Sequence, residues 1–273
     1  MNKLVLYLSL LLIMGFNACT PNNVVEDNSI KHFFDENKVN GTFAIFDNAQ
    51  GIFNVYNLNR YKDSTYLPAS TFKIINGLIG IETGKIINER MVIPWDGVSR
   101  RPEWDKDLTM AEAFKVSAVP YFQEIARRIG KDTMQHWIDS LGIGSRYNKF
   151  TITNNLDTFW LDNTLQVTPD EELGIVKKLY FNQLPFQGRT QDIIKKLMEQ
   201  ENNANYRLSY KTGLGTSKNG NTIGWVTGWI EENKHVYPFV LNIEGPQDAD
   251  LSATRIIILK GILKQSGFFE GKK

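Results

Sequence analysis

The sequence has little cysteine, little histidine and no excess of charge of either sign. A single cysteine among 273 residues, Cys19, excludes a disulfide within the chain. The three histidines, His32, His136 and His235, lie far apart and have no second nitrogen or sulfur ligand nearby, so no metal site is expected. Lys and Arg number 31 against 30 Asp and Glu, a balance that gives no electrostatic reason to expect nucleic-acid binding.

Long apolar runs are also missing, except at the N-terminus. Lys3 precedes a nearly continuous apolar run over residues 4–16, which is too short for a comfortable transmembrane helix. A positive charge, an apolar run and then the small residue Ala18 are typical of a secretory signal peptide. We therefore predict that residues 1–18 are a signal peptide and that the protein is exported to the periplasm.

The residue after Ala18 suggests a lipid anchor. Cys19 resembles the acylated cysteine of a bacterial lipobox, although Phe16-Asn17 departs from the usual leucine and small residue. A plain signal peptide with an incidental cysteine is the alternative. Residues 19–28 are polar and contain Pro21, which predicts a short tether. The protein is then expected to meet a membrane only through this lipid.

The rest of the chain, residues 29–273, predicts one domain of the α/β (α+β) class. Strand-like patterns lie near both ends, at residues 41–46, 52–56, 208–211, 222–231 and 236–243. Helical spacing occupies residues 70–82 and 251–265 and dominates from about 85 to 200, most clearly at 118–130, 131–141, 169–181 and 190–202. We predict an antiparallel sheet formed by both chain ends and flanked by helices, with a helical subdomain and a cleft between the two parts.

Ser70 and Lys73 form a Ser-x-x-Lys pair at the predicted start of a helix, directly after Pro68. Residues three apart share one helix face, so these side chains can touch. A serine hydroxyl needs a neighbouring base to become a nucleophile, and a buried lysine of depressed pKa can serve. The helix N-terminus would also favour a developing oxyanion. Alone the Ser-x-x-Lys pair is weak evidence for a catalytic serine, because a serine that caps a helix and a solvated lysine three residues later have the same spacing.

Further motifs follow in order along the chain. Ser117 opens a Ser-Ala-Val triplet at the next strong helix, and Lys211-Thr212-Gly213 is predicted to end a strand. Ser-x-x-Lys with Lys-Thr-Gly is the signature of penicillin-recognising serine acyl enzymes. Lys211 and Thr212 would bind a substrate carboxylate, while Ser117 would pass protons between the two lysines. Gly213 would let a substrate approach the strand, and the N–H of Leu214 would complete an oxyanion hole.

Together with these motifs, the sequence resembles the class D β-lactamases from about residue 38 to the C-terminal helix. The Ser-x-Val form at Ser117 is distinctive. Matching segments read Pro-Ala-Ser-Thr-Phe-Lys at 68–73, Trp-Asp-Gly at 95–97, Val-Ser-Ala-Val-Pro at 116–120, Phe-Trp-Leu at 159–161 and Trp-Val-Thr-Gly-Trp at 225–229. The resemblance implies a β-lactamase/transpeptidase-like fold and hydrolysis of the β-lactam ring of penicillin-type antibiotics through an acyl-enzyme on Ser70.

In that family the base is a carbamylated lysine, and the resemblance carries this role to Lys73. The indole N–H of Trp160 would hold the carbamate between apolar walls of Phe72, Val119 and Leu161. Burial among such residues disfavours the ammonium form and exposes the neutral amine with which carbon dioxide reacts. Carbon dioxide or bicarbonate is thus the one small molecule required besides substrate, and no other cofactor is expected. For Trp160 the alternative is a plain core tryptophan.

The resemblance also assigns a role to one arginine, and at one segment the sequence departs from the family pattern. Arg255, in the last helix, falls where the family keeps an arginine for the substrate carboxylate. The usual Tyr-Gly-Asn is replaced by Ile143-Gly144-Ser145, which puts cleft shape and substrate range in doubt. Nucleophile, base and oxyanion donors do not depend on those side chains.

Other functions stay open beside β-lactam hydrolysis. Sensor domains of β-lactam receptors share the fold and the motifs but hold the acyl-enzyme, and such receptors carry membrane helices. A D,D-peptidase acting on cell-wall peptides would share the motifs and deacylate β-lactams slowly, but the Ser-x-Val and Phe-Trp-Leu details favour class D. A non-catalytic lipoprotein would not explain the motifs occurring together. The sequence sets neither the oligomeric state nor the choice among penicillins, cephalosporins and carbapenems.

Overall fold

The computed structural model describes residues 23–147 and 149–273; the predicted signal peptide and Cys19 lie outside the described residues. Its strands are β1 (Val24–Glu26), β2 (Asn40–Asp47), β3 (Ile52–Tyr56), β4 (Val92–Ile93), β5 (Leu108–Thr109), β6 (Glu199–Asn202), β7 (Tyr206–Thr216), β8 (Thr222–Glu232) and β9 (His235–Gly245). The central sheet has seven strands in the order β1-β3-β2-β9-β8-β7-β6. Strands from both chain ends therefore share one sheet, as the sequence predicted.

Pairing in this sheet is antiparallel except at one edge. β1 runs parallel to β3, with Val24 opposite Phe53 and Glu26 opposite Val55. Within the span predicted as a tether, residues 19–28, Val24–Glu26 therefore belong to the sheet, as suits the β-branched Val24 and Val25. β4 and β5, which the sequence did not predict, form a separate antiparallel pair within the helical subdomain.

The described helices are α1 (Lys31–Glu36), α2 (Leu58–Asp63), α3 (Lys73–Glu82), α4 (Met110–Lys115), α5 (Val119–Ile129), α6 (Lys131–Leu141), α7 (Pro169–Tyr180), α8 (Gly188–Met198) and α9 (Leu251–Gln265). Capping boxes at Thr109 and Thr168 start α4 and α7. Because side chains alternate along a strand, Phe43 and Ile45 of β2 face a core shared with α1 and α9, while Ala44 faces the core shared with the helical subdomain.

Three local predictions are corrected. The helix predicted over residues 190–202 ends at Met198, because residues 199–202 pair with β7 as the edge strand β6. Ser70 does not lie in an α-helix but in a short 3₁₀ helix, Ala69–Phe72, which leads directly into α3 at Lys73. The Lys-Thr-Gly motif also lies within β7 rather than at its end, since that strand continues to Thr216.

Candidate active site

The serine of the Ser-x-x-Lys motif sits on a tightly held turn, here called the nucleophile turn (residues 68–72). Ala69 has a left-handed φ of 50°, a conformation that surrounding structure must hold in a residue with a side chain. The backbone N–H of Ala69 donates to the carbonyl of Trp160 at 3.0 Å. The indole Nε1 of Trp225 donates to the carbonyl of Leu67 at 2.9 Å, just ahead of the turn. These bonds hold the turn on both sides, and Ser70 on it is partly buried.

Lys73 lies directly beneath this serine. Its Nζ is 2.6 Å from Ser70 Oγ, and the residue has no exposed surface. Burial holds the pKa of Lys73 well below its usual range, and the positive charge of Lys211 lowers it further. The ring of Phe122 lies 5.6 Å from Nζ. A neutral amine at this distance can accept the serine proton, so the predicted nucleophile and base are brought together.

A second serine and lysine pair lies across the cleft. Lys211 Nζ donates to Ser117 Oγ at 3.0 Å and to the carbonyl of Thr212 at 2.9 Å. Lys211 is 4% exposed, and burial, reinforced by the charge of Arg255, lowers its pKa to about 7. Ser117 reaches it from a backbone with φ 55°, two residues before α5 begins. The structure therefore joins Ser117 to the lysine of the Lys-Thr-Gly motif; the passage of protons through Ser117 between the two lysines stays a prediction.

β7 lies close against the nucleophile turn, and glycine makes this approach possible. A Cβ at Gly213 would lie 2.9 Å from the carbonyl oxygen of Pro68 and 3.2 Å from Thr71 Cγ2. A Cβ at Gly215, on the same face of the strand, would lie 2.7 Å from Leu67 Cδ1. Between them, Leu214 is 41% exposed. The strand thus brings Leu214, whose N–H is the predicted oxyanion donor, close to the nucleophile turn.

Arg255 reaches the same strand from α9. Its Nη1 donates to the carbonyl of Gly213, the glycine of the Lys-Thr-Gly motif. Burial lowers the pKa of Arg255 to about 10, which leaves the guanidinium charged at neutral pH. The cleft therefore contains two cationic side chains, Lys211 and Arg255, together with the hydroxyl of Thr212. Such a set can bind a carboxylate.

Trp160 is fully buried beside the nucleophile turn. Its ring stacks on Phe72 with centroids 5.3 Å apart and an interplanar angle of 18°. Its Nε1 has no hydrogen-bond partner among the described residues. Because a buried N–H without an acceptor is rare, this atom is a candidate donor to a ligand or modification. Val119, the first residue of α5, and Leu161 are both half-buried.

The segment that departs from the family pattern packs against α7. Ile143 is buried, and the N–H of Gly144 donates to Glu171 Oε1 at 3.1 Å. Gly144 has φ +68°, and a Cβ there would lie 2.4 Å from Leu165 Cδ1. The glycine of this segment thus keeps a backbone role, whereas Ser145 bonds only locally, to the carbonyl of Gly142.

The sequence did not indicate the aromatic rings beneath the two lysines. Phe122 lies under Lys73, and the ring of Phe114 lies 5.6 Å from Lys211 Nζ. Apolar spacing on α4 and α5 predicts a core face for both residues but does not show which side chains that face covers. No local signal could have found them, because each ring meets its lysine only through packing.

Comparisons with known proteins agree with this geometry. The family model described as the penicillin binding protein transpeptidase domain matches residues 24–264. Among characterised relatives, β-lactamase OXA-11 of Pseudomonas aeruginosa is 35% identical over 253 residues, covering 91% of this chain and 92% of that one.

Solved structures extend the comparison. A class D β-lactamase, YbXI from Nostoc, is similar with a TM-score of 0.81 and 35% identity, covering 87% of this chain and 98% of that one. The C-terminal domain of the BlaR penicillin-receptor of Bacillus licheniformis is similar with a TM-score of 0.83 and 29% identity, over 90% and 98% of the two chains. The same fold therefore occurs in proteins named as an enzyme and as a receptor.

Proposed function

The chain belongs to the class D β-lactamases of the penicillin-binding transpeptidase family, and from that premise we propose that it hydrolyses the β-lactam ring of penicillin-type antibiotics through an acyl-enzyme on Ser70. One observation carries the proposal. Lys73 Nζ lies 2.6 Å from Ser70 Oγ on a side chain with no exposed surface, where the neutral amine is favoured. A serine with such a neighbour can lose its proton as it attacks a carbonyl.

In the acylation step, Ser70 Oγ forms a bond to the lactam carbonyl carbon and its proton passes to the side chain of Lys73. The N–H groups of Ser70 and Leu214 would stabilise the oxyanion. The carbon–nitrogen bond of the ring then breaks, and the ring nitrogen takes a proton delivered through Ser117. Lys211, Thr212 and Arg255 would hold the substrate carboxylate, since charge-assisted bonds of this kind fix both affinity and orientation.

We further propose that Lys73 is carbamylated. The residues fit this modification: Lys73 is fully buried with a lowered pKa, and the Nε1 of Trp160 lacks an acceptor among the residues that the structure describes. Bound carbon dioxide would supply an anionic oxygen base for the deacylating water. Trp160 would donate to it, and Phe72 would hold the indole in place by stacking.

The test is turnover of a chromogenic cephalosporin by the purified mature protein. A Ser70→Ala variant should lose hydrolysis and should not gain the mass of a penicillin on the peptide that contains residue 70. Ser140→Ala, at an exposed position on α6, is the matched control and should behave as the wild type. Wild-type turnover by Ser70→Ala would contradict the mechanism.

A β-lactam sensor is the second candidate, because the chain is similar to the receptor domain of BlaR. A sensor would acylate Ser70 and keep the acyl group. Within the part of the chain that the structure describes, no helix has the length and apolar character needed to cross a bilayer. Pre-steady-state kinetics separates the two functions: one equivalent of released product without later turnover supports a sensor, and continued turnover supports the enzyme.

The export signal is part of the proposed function. We propose that the protein is exported, that residues 1–18 are removed, and that Cys19 is then acylated so that the domain acts from a bacterial membrane. The apolar run and Ala18-Cys19 support this proposal. A periplasmic position would put the domain in the path of β-lactams before they reach the cell-wall enzymes.

A further inference from the structure

A buried carboxyl group lies behind the nucleophile turn. Glu172, on α7, is 8% exposed, and its Oε1 lies 2.6 Å from Thr71 Oγ1. The neighbours that line the small space around it are mostly apolar and include Ile75, Ile143 and Ile175. No ion pair of Glu172 occurs among residues 23–147 and 149–273, so this acid is buried without a cation. Burial of an ionised carboxylate without such compensation is costly.

The hydrogen bonds of Thr71 determine which form of the acid fits. Thr71 Oγ1 is 2.6 Å from Glu172 Oε1 and 2.8 Å from the carbonyl oxygen of Pro68. A threonine hydroxyl carries one hydrogen, so it can donate to one of these oxygens only. If Glu172 were ionised, the other pair would be two acceptors facing each other. If Glu172 is protonated, its O–H donates to Thr71 Oγ1, and Thr71 donates to Pro68.

We infer that Glu172 is kept as a neutral carboxylic acid and is a positioning residue that holds the nucleophile turn through Thr71; its effect on catalysis rests on the function proposed above. The chain of bonds ends on the carbonyl of Pro68, the atom closest to where a Cβ of Gly213 would lie. Glu172 thereby sets the gap between the turn that carries Ser70 and the strand that carries Leu214.

The surroundings support the neutral form. Burial and, to a smaller extent, the neighbouring charge of Glu171 raise the pKa of Glu172, the hydrogen bond with Thr71 opposes them, and the net pKa is about 7. The nucleophile turn, α3 and the segment after α6 place Thr71, Ile75 and Ile143 around the carboxyl, and none of them titrates. Glu171 is therefore the one charged group that faces it from the described elements.

Ionisation of Glu172 should then loosen the turn. As pH rises through 7, the acid loses its proton and the Thr71 hydrogen can no longer satisfy both oxygens. The turn is expected to shift, which misplaces Ser70 relative to the oxyanion donors. Such a shift lowers kcat more than it raises KM, because it disturbs the transition state rather than substrate binding.

Glu172→Gln tests this inference. The amide keeps a donor for Thr71 and cannot ionise. Its kcat should match the wild type at pH 6 and exceed it by about fivefold at pH 8.5, the equivalent of one hydrogen bond. Thr71→Val removes the hydroxyl that links Glu172 to the carbonyl of Pro68 and should lower kcat at both pH values. Thr71→Ser keeps the hydroxyl and should have the kcat of the wild type. Equal pH profiles of kcat for the wild type and Glu172→Gln would overturn the positioning role.

A stability readout separates this inference from the proposed function. The folded-state pKa of Glu172 lies above its ordinary value of 4.5. Wild-type stability attributable to this group is therefore full at low pH and falls as pH rises toward 7. Relative to the melting temperature of the wild type, that of Glu172→Gln should rise between pH 5 and pH 8.5, even if neither protein hydrolyses β-lactams. A difference in melting temperature that does not change with pH would overturn the inference that Glu172 is neutral. If the pH trend is present but the wild type does not turn over β-lactams, only the proposed enzymatic function is overturned.

Discussion

At the scale of single residues, burial controls the charge of both active-site lysines. Lys73 and Lys211 are almost without exposed surface, and each has an aromatic ring 5.6 Å from its Nζ. Desolvation lowers both pKa values most, and a neighbouring positive charge lowers them further. Lys73 is thereby suited to accept protons, whereas Lys211, with a pKa of about 7, changes charge within the physiological range.

The indole N–H of Trp160, which has no acceptor among the described residues, leads to a prediction about carbon dioxide. Trp160→Phe keeps a ring against Phe72 but removes the N–H that would hold a carbamate. The variant should need far more added bicarbonate than the wild type for full activity, and deacylation should slow at least as much as acylation. Steady-state hydrolysis in degassed and bicarbonate-supplemented buffer measures the first effect. Carbon-13 NMR with labelled bicarbonate should show a carbamate signal in the active wild type, and its absence would mean that Lys73 works as a free amine.

Lys211 leads to a prediction about pH. Its folded pKa is lowered to about 7, so the lysine loses its charge as pH rises through that value. The KM for an anionic penicillin should therefore rise above neutral pH. Arg255→Ala should raise KM more than about tenfold, since a charge-assisted bond contributes roughly 2 kcal/mol. The same change removes a positive neighbour of Lys211, so the pH midpoint of the KM increase should move upward; an unmoved midpoint would contradict the coupling.

At the scale of elements, the site depends on how closely β7 approaches the nucleophile turn. Two glycines on one face of the strand, Gly213 and Gly215, leave room for that turn. The turn is in addition bonded to Trp160 from the helical subdomain, and Leu67 just before it is bonded to Trp225 of β8. Sheet and helical subdomain thus both fix the serine, which lies where they meet.

Gly213→Ala tests this approach. The added Cβ would meet the Pro68 carbonyl at 2.9 Å, and a backbone atom cannot rotate away. We expect overpacking to lower the free energy of unfolding by about 1–3 kcal/mol. The value of kcat/KM should fall as well. Gly174→Ala is the control, since nothing lies within 4 Å of a Cβ there and the α7 interior should gain about 0.5–1 kcal/mol. Chemical denaturation and steady-state kinetics on both variants give the measurement; an unaffected Gly213→Ala would contradict a tight strand–turn gap.

At the scale of the whole molecule, the first described strand and the C-terminal residues are both bound to the sheet. β1 pairs with β3 at one edge, and the carboxylate of Glu232 on β8 accepts the N–H groups of Phe269 and Lys272 at 2.8 and 2.9 Å. A lipid on Cys19 would therefore hold the domain near the membrane. Five residue steps separate Cys19 from Val24, and an extended chain spans at most roughly 18 Å over that distance.

Metabolic labelling tests this anchor. Cells fed an alkyne analogue of palmitate should tag the wild type and leave Cys19→Ser untagged, because the proposed acyl chain would be attached to that cysteine. The wild type should fractionate with membranes and the variant should be released, while both hydrolyse a cephalosporin equally once purified. An unlabelled, membrane-free wild-type protein would mean a simple signal peptide.

Much of the fold and site followed from the sequence because the relevant signals are local. Periodicity predicted α6 and α9 with their observed ends, and the spacing of Ser70 and Lys73 predicted a contact that the structure places at 2.6 Å. Turn residues and alternation predicted the β2–β3 hairpin. Each of these features depends on residues close together in the chain, so propensity and spacing were sufficient.

Features that depend on distant residues required the tertiary structure. Residues 199–202 have a helical pattern, yet an open sheet edge beside β7 pairs them as a strand. Thr71 and Glu172, separated by 101 positions, share a hydrogen bond that no local pattern contains. By itself the sequence determined which groups could react and the order in which they lie. Packing decided which of them are buried, unpaired or neutral, because desolvation and proximity arise only when distant segments come together.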